Sequence, residues 1–229
     1  MQAAIDWTNQ NSGFLTLILF VITLVLGWTS GIFRALRHRP KFKIGIIKGP
    51  TFLSSFSTGK ELKGVETHRT AAAIYLLVTN VGTAPAQIVS VRLGYHNYSF
   101  KYTFLWFWLN STPAIGDFGH TIGKNLRVFP FLFQKNYLAA HPVSTYLQSG
   151  QETIGVMYFE QPESWGGFKP RVKNGKAKIK ILVKDALGNR YARTFTIDVV
   201  DLDYAKKFNS NFGNTLSLMA ENPLEEWSQ

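Results

Sequence analysis

The chain has 229 residues, 45% of them hydrophobic, no cysteine, and a formal net charge of +11. Its length suits one ordinary domain with additions, and its apolar content supports a sizeable core. The missing cysteines exclude disulfides, thiolate metal sites and cysteine nucleophiles, and the positive balance points toward an anionic partner.

Residues 1–11 read as a short tail in which Asp6 is the only charged side chain. Residues 12–33, SGFLTLILFVITLVLGWTSGIF, carry no charge. As a helix this stretch would be about 33 Å long, matching a hydrocarbon core of about 30 Å. Trp7 and Trp28 lie near its ends, where amphipathic rings favour the headgroup region. Gly27 and Gly31 form a small-xxx-small pair that would let two helices approach closely. No Lys or Arg precedes the span, whereas Arg34, Arg37, Arg39, Lys41 and Lys43 follow it. The positive-inside rule then places the N-terminus outside an inner, cytoplasmic membrane and the remaining chain in the cytoplasm.

Residues 34–48 combine this basic juxtamembrane segment with a first strand, KFKIGII at 41–47, where apolar and polar residues alternate. Residues 48–70, rich in Gly, Ser and Lys, read as a long connection. Period-two or continuous apolar runs follow at 71–80, 86–96, 98–109, 152–159, 177–184 and 190–200, with turns at KNGK and DALGNR. No long amphipathic helix separates them, so parallel βαβ architecture is disfavoured. The expected fold is all-β: an antiparallel sandwich over 49–200, preceded by one N-terminal transmembrane helix.

Three stretches carry a family resemblance. YLLVTNVGTAPAQIVSVRL is similar to the strand–Asn–x–Gly–x–x–Pro–strand hairpin of immunoglobulin-like sandwiches, particularly the bacterial adhesion-related type. YLQSGQETIGVMYF resembles the Leu–x–x–Gly–Glu corner of that family, with Gln151 and Glu152 shifted by one. ILVKDALGNRYARTFTI resembles its closing hairpin. The resemblance implies a module that binds or spaces rather than one that catalyses.

Residues 96–147 form an aromatic-rich insertion holding FLWFWL and FPFLF. Two readings stay open: core filling, or an exposed apolar surface for a partner or the bilayer interface, made of Phe104, Trp106, Trp108, Phe131 and Phe133. Residues 201–229 hold two lysines against five carboxylates, leaving +14 on the preceding chain. They read as a short helix near DLDYAKKF followed by an acidic, mobile tail, with Trp227 as the anchor if that tail binds a partner.

The stretch KPRVKNGKAKIK contains Lys169, Arg171, Lys173, Lys176, Lys178 and Lys180. Asn174-Gly175 is a strong type I′ hairpin signal. A regular ribbon would set Lys173 opposite Lys176, Arg171 opposite Lys178 and Lys169 opposite Lys180, with Pro170, Val172, Ala177 and Ile179 facing the core. Like charges placed opposite each other are destabilising. An anionic membrane leaflet or an acidic partner protein would offset that cost, and solvated edge protection is the plain alternative. Nucleic acid is disfavoured because no aromatic interleaves with these cations in the sequence.

Catalytic and metal signatures are weak. The five histidines show no metal-ligand spacing. Ser57 and Lys60 have Ser–x–x–Lys spacing but stand in a stretch read as loop. The expectation is a single-pass, non-enzymatic interaction subunit without cofactors. It would contact membrane lipids, other membrane-complex subunits or a second copy of itself, in a membrane complex or a membrane-acting defence system. An extracytoplasmic envelope domain of the same fold, or a hydrolase with an unrecognised site, are the alternatives.

Overall fold

The computed structural model describes residues 6–7, 9–31, 38–99, 104–132 and 144–221. The chain divides into two compact units, residues 1–39 and 40–229.

In the first unit, helix α1 spans Ser12–Thr29, and none of its residues is buried. It is long and apolar enough to cross a membrane. Its threonine hydroxyls bond within the helix. Thr16 donates to the Ser12 carbonyl at 2.8 Å, Thr23 to Leu19 at 2.7 Å and Thr29 to Val25 at 2.9 Å. A hydrocarbon environment offers these groups no other partner. Gly31 lies beyond the helix end with φ +75°. Gly27 and Gly31 therefore do not share one continuous helix face, which corrects the packing pair expected of them. Arg34 and Arg37 fall outside the described residues.

The second unit is mostly β, with two sandwich-like sheets. Its strands are β1 Phe42–Ile46, β2 Phe52–Leu62, β3 Val65–Asn80, β4 Ala86–Tyr95, β5 Phe107–Asn110, β6 Phe118–Ile122, β7 Asn125–Phe129, β8 Tyr146–Leu147, β9 Glu152–Glu160, β10 Ser164–Trp165, β11 Val172–Lys173, β12 Lys176–Asp185 and β13 Arg190–Val199. Helices α2, Leu202–Lys206, and α3, Thr215–Glu221, close the described chain. In the first sheet β3 is central, with β9 on one side and β1 and β2 in succession on the other. The second sheet runs β13-β12-β4-β5. A short parallel pairing of β13 with β2, at Asp198↔Phe52 and Val199↔Leu53, joins the two. The expected all-antiparallel pattern fails at this seam and at the isolated parallel bridge Phe131↔Val156.

Between the sheets lies a core of Ile44, Leu53, Ile74, Leu76, Val91, Leu93, Tyr95, Phe159, Ile179, Ile181 and Val183. A second apolar cluster covers the other face of the first sheet. There Tyr75, Val156 and Tyr158 meet Phe118, Phe129, Phe131, Ala205 and Phe212. Burial on both faces explains why AAAIYLL reads as continuous apolar sequence.

Three expectations need correction. The stretch 48–70 is not a connection, because β2 and the start of β3 form a hairpin there. Its turn residues Lys63 and Gly64 both have positive φ, 53° and 76°. Residues 81–85 do not close a hairpin either: β4 pairs with β12, β5 and β8, so this stretch crosses from one sheet to the other. Asn80 fixes the crossing. It donates to the carbonyls of Ala84 and Leu147 and accepts the amides of Lys41 and Gly82. Nor is the segment after 201 a loose tail through Glu221, since Phe212 and Thr215 are buried. Trp227 lies outside the described residues.

The 96–147 insertion is partly core and partly exposed, and among its described residues the strand expected over 98–109 is confined to β5. Phe131 is 0% exposed and belongs to the core, which removes it from the proposed partner surface. Phe104 is exposed, and Trp108 is 38% exposed. Phe133 falls outside the described residues.

Candidate anion-binding face

Four strands build the outer face of the second sheet. On β12 the outward residues are Lys176, Lys178, Lys180, Leu182 and Lys184, while Ala177, Ile179, Ile181 and Val183 point into the core. This is the plain consequence of side-chain alternation. Register sets Lys180 beside Gly94 on β4 and Thr194 on β13, and Leu182 beside Arg92 and Ala192. β5 adds Trp108 opposite Gly94. The indole lies flat on that glycine, so a Cβ there would stand 3.0 Å from the ring. Trp106 follows on the same side. His96 packs against it at 3.9 Å between ring centroids, and Lys180 Nζ sits 5.4 Å from its centroid.

Aromatics therefore do interleave with the cations. The sequence hid this because Trp108, on β5, and Trp106, just before it, lie about seventy residues upstream of the lysines. Asp198 is the acid on this face, in a 3.5 Å ion pair with Lys176. Both partners are exposed, so the pair contributes little. Asp185, next in sequence to Lys184, points inward and accepts hydrogen bonds from the Asn189 backbone, the Asn189 amide and the Tyr191 hydroxyl. That carboxylate, with burial as the larger cause, pushes the Tyr191 phenol up to about 12.

The hairpin expected around Asn174-Gly175 forms only at its tip. Asn174 and Gly175 have φ of 52° and 70°, as a type I′ turn requires, and Lys173 pairs with Lys176. Beyond Val172↔Ala177 the ribbon ends, because the last residues of β4 take over the edge of β12 at Ile179↔Tyr95. Arg171 is thereby drawn away from Lys178. Its backbone amide donates to the His96 carbonyl, its Nε to the Asn97 carbonyl at 2.6 Å, and its guanidinium lies 5.9 Å from the Tyr98 centroid. Lys169 does not face Lys180. It lies near His68, whose protonation it opposes. Val172 is 41% exposed rather than core-directed. A groove of about 640 Å³ remains here, lined by His96, Tyr98, Arg171, Lys173, Lys176 and Lys178 among others.

The predicted cations thus separate into sets. Lys173, Lys176, Lys178 and Lys180 share the outer face, with Arg171 at its margin. Arg39, Lys41 and Lys43 are exposed at or just before β1, in the other sheet. Sequence reasoning missed Arg92, Lys184 and Arg190 on the outer face. The period-two pattern of VRLGYH and the short DALGNR turn, which puts Lys184 opposite Arg190, were the signals available.

Two buried polar clusters lie elsewhere. Ser164 Oγ is 3.2 Å from His68 Nε2, and Gln161 donates to the same hydroxyl. His68 is fully buried and its Nδ1 has no hydrogen-bond partner. Burial first, then Lys169, lowers its pKa from the ordinary imidazole value. This hydroxyl–imidazole contact fastens β10 to β3 at Ser164↔His68. In the second cluster, Glu160 accepts hydrogen bonds from the Tyr158 hydroxyl and the Leu216 amide and faces Arg69 Nη1 at 3.5 Å. Burial raises its pKa despite these partners. Arg69 also bonds Ser217, so the cluster holds the C-terminal segment against the sheet. Ser57 and Lys60 lie on β2, where Ser57 bonds Glu66 and Lys60 pairs with Glu163. Among the described residues, no three His, Asp or Glu side chains gather as metal ligands. The chain matches no protein-family model and no curated protein.

Proposed function

We propose that the protein is a single-pass, membrane-anchored, non-enzymatic interaction subunit whose outer sheet face binds an anionic bilayer surface. The observation that carries this reading is the composition of one sheet face. Lys173, Lys176, Lys178 and Lys180 share it with Trp106 and Trp108. Lysines near an anionic leaflet contribute about 1 kcal/mol each, and tryptophan favours the headgroup layer. Covalent attachment to α1 keeps such a face at high effective concentration near lipid. The charge step after residue 33 supports a cytoplasmic body. The order β1-β3-β9 in one sheet and β13-β12-β4 in the other, with a parallel β2–β13 seam, supports reading the sandwich as immunoglobulin-like.

The test uses the full chain in nanodiscs, with Trp7 and Trp28 changed to Phe and a spin-labelled headgroup lipid as quencher. Tryptophan quenching should be greater in equal parts phosphatidylcholine and phosphatidylglycerol than in phosphatidylcholine alone. The Lys173→Gln, Lys176→Gln, Lys178→Gln variant should lose the difference. So should salt of about 0.5 M, where the screening length is roughly 4 Å. Equal quenching in both lipids would refute the reading. So would a single-stranded oligonucleotide that displaces the face from the anionic disc at physiological salt, since the interleaved aromatics would then serve bases. Orientation is read separately in intact cells. Because the chain has no native cysteine, an impermeant maleimide should label Asn9→Cys and leave Leu187→Cys unlabelled.

A further inference from the structure

At the end of the outer face remote from the β11 turn, three strands bring cations together. Arg92 comes from β4, Lys184 from β12 and Arg190 from β13. Lys184 is paired on one side with Ser90 and on the other with Arg190, and Leu182 is paired with Arg92. Ser90, Arg92, Leu182, Lys184 and Arg190 line one recess of about 160 Å³.

Three features set this recess apart from scattered surface charge. Lys184 and Arg190 are direct cross-strand neighbours, a like-charge arrangement that destabilises the bare sheet. No described carboxylate forms an ion pair with Arg92, Lys184 or Arg190, and the nearby Asp185 carboxylate is spent on inward hydrogen bonds. Finally, the β4–β12 register shifts between Lys184 and Asp185. Such irregularities re-aim side chains and recur beside functional sites.

We infer that this recess binds one phosphate group, as a phosphomonoester dianion. Two guanidinium forks supply paired donors, Lys184 a point charge and Ser90 a hydroxyl, which together match a tetrahedral oxyanion. Three positive charges favour a doubly charged monoester over a singly charged diester. The inference rests on the face being anion-binding, though not on the anion belonging to a bilayer. The group can come from a lipid headgroup of the phosphatidic acid type or from a soluble phosphate ester.

The test uses the full chain in neutral detergent micelles. Inorganic phosphate and glycerol 3-phosphate are titrated by calorimetry, and separate micelles are doped with phosphatidic acid or phosphatidylglycerol. Wild type should bind at least one phosphomonoester probe saturably and prefer phosphatidic acid to phosphatidylglycerol if lipid is the source. Arg92→Gln with Arg190→Gln should weaken that binding more than tenfold, the scale of one lost charge-assisted fork. The triple glutamine variant at 173, 176 and 178 should change it less than twofold. Binding only to doped micelles assigns a lipid headgroup; binding of the soluble esters with no added effect of phosphatidic acid assigns a soluble source.

The Arg92→Gln, Arg190→Gln protein should also melt no lower than wild type without ligand, because a repulsion has been removed. The inference fails if no probe saturates below about 1 mM, if the double variant binds like wild type, or if its melting temperature falls. Site-dependent phosphate binding without any nanodisc quenching would leave this inference standing and sink the bilayer reading. Lipid-dependent quenching with no effect of the recess substitutions would do the reverse.

Discussion

Asn80→Ala tests how the two sheets are held at their crossing. Asn80 is 0% exposed at the end of β3. Its Nδ2 donates to the Ala84 carbonyl at 2.8 Å and to the Leu147 carbonyl at 3.1 Å. Its Oδ1 accepts the Gly82 amide at 3.0 Å and the Lys41 amide at 3.2 Å. Alanine leaves all four backbone groups without this partner. At about 1 kcal/mol net per bond, with some recovered by water at the part-buried groups, the loss is about 3 kcal/mol. For a unit of this size that lowers the melting temperature by roughly 6–12 °C. Asn80→Asp sharpens the test. It keeps both acceptor bonds but turns a buried carboxylate oxygen toward the carbonyls of Ala84 and Leu147. It should be at least as damaging as alanine at neutral pH and recover partly in acid, where a protonated oxygen can donate again. Thermal melts of the full chain in micelles, followed by near-ultraviolet circular dichroism, measure both variants. A loss below about 1 kcal/mol for alanine, or an aspartate variant as stable as wild type, would refute the assignment.

Gly155→Ala should be severe, since its Cβ would fall 2.5 Å from Leu132 Cα and 2.8 Å from the Phe131 carbonyl carbon. Both are backbone atoms, and the clash forces residues 130–132 off β9, at about 3 kcal/mol or more. Exposure of Phe131 should appear as new dye binding and as proteolysis near residue 130. His68 makes stability depend on pH. Its folded pKa lies below 6.5, so the folded state binds fewer protons than the unfolded chain. Its contribution is fully present above 6.5 and is lost as pH falls from there through the lowered value. The melting temperature of wild type should fall over that interval by more than that of His68→Gln; parallel curves would dismiss His68 as the source. Glu160 works in the opposite direction. Its raised pKa favours the fold at low pH and withdraws that support as pH rises above 4.5, which is why the comparison is made between variants.

Local pattern alone determined the apolar helix starting at residue 12, strands β4, β12 and β13 of the second sheet, and the Asn174-Gly175 turn. Each depends on signals a few residues apart: an uncharged run, alternation, and two positions tolerant of positive φ. The second strand was illegible because FLSSFSTGKEL mixes serine, glycine and lysine, and only its pairing with β3 makes it a strand.

Tertiary structure alone decided which strand neighbours which. β4, not the continuation of β11, occupies the edge of β12, so the six-cation ribbon is cut short, Lys180 meets Trp106, and Trp108 and Arg92 join the same face from β5 and β4. It also decided what covers AAAIYLL: Phe131 and Phe212 arrive from distant parts of the chain. Alternation tells a residue which side of its own strand it occupies. The identity of the strand beside it depends on burying both sheets at once, a sum over contacts far apart in sequence, and the Arg92–Lys184–Arg190 recess exists only after that sum is settled.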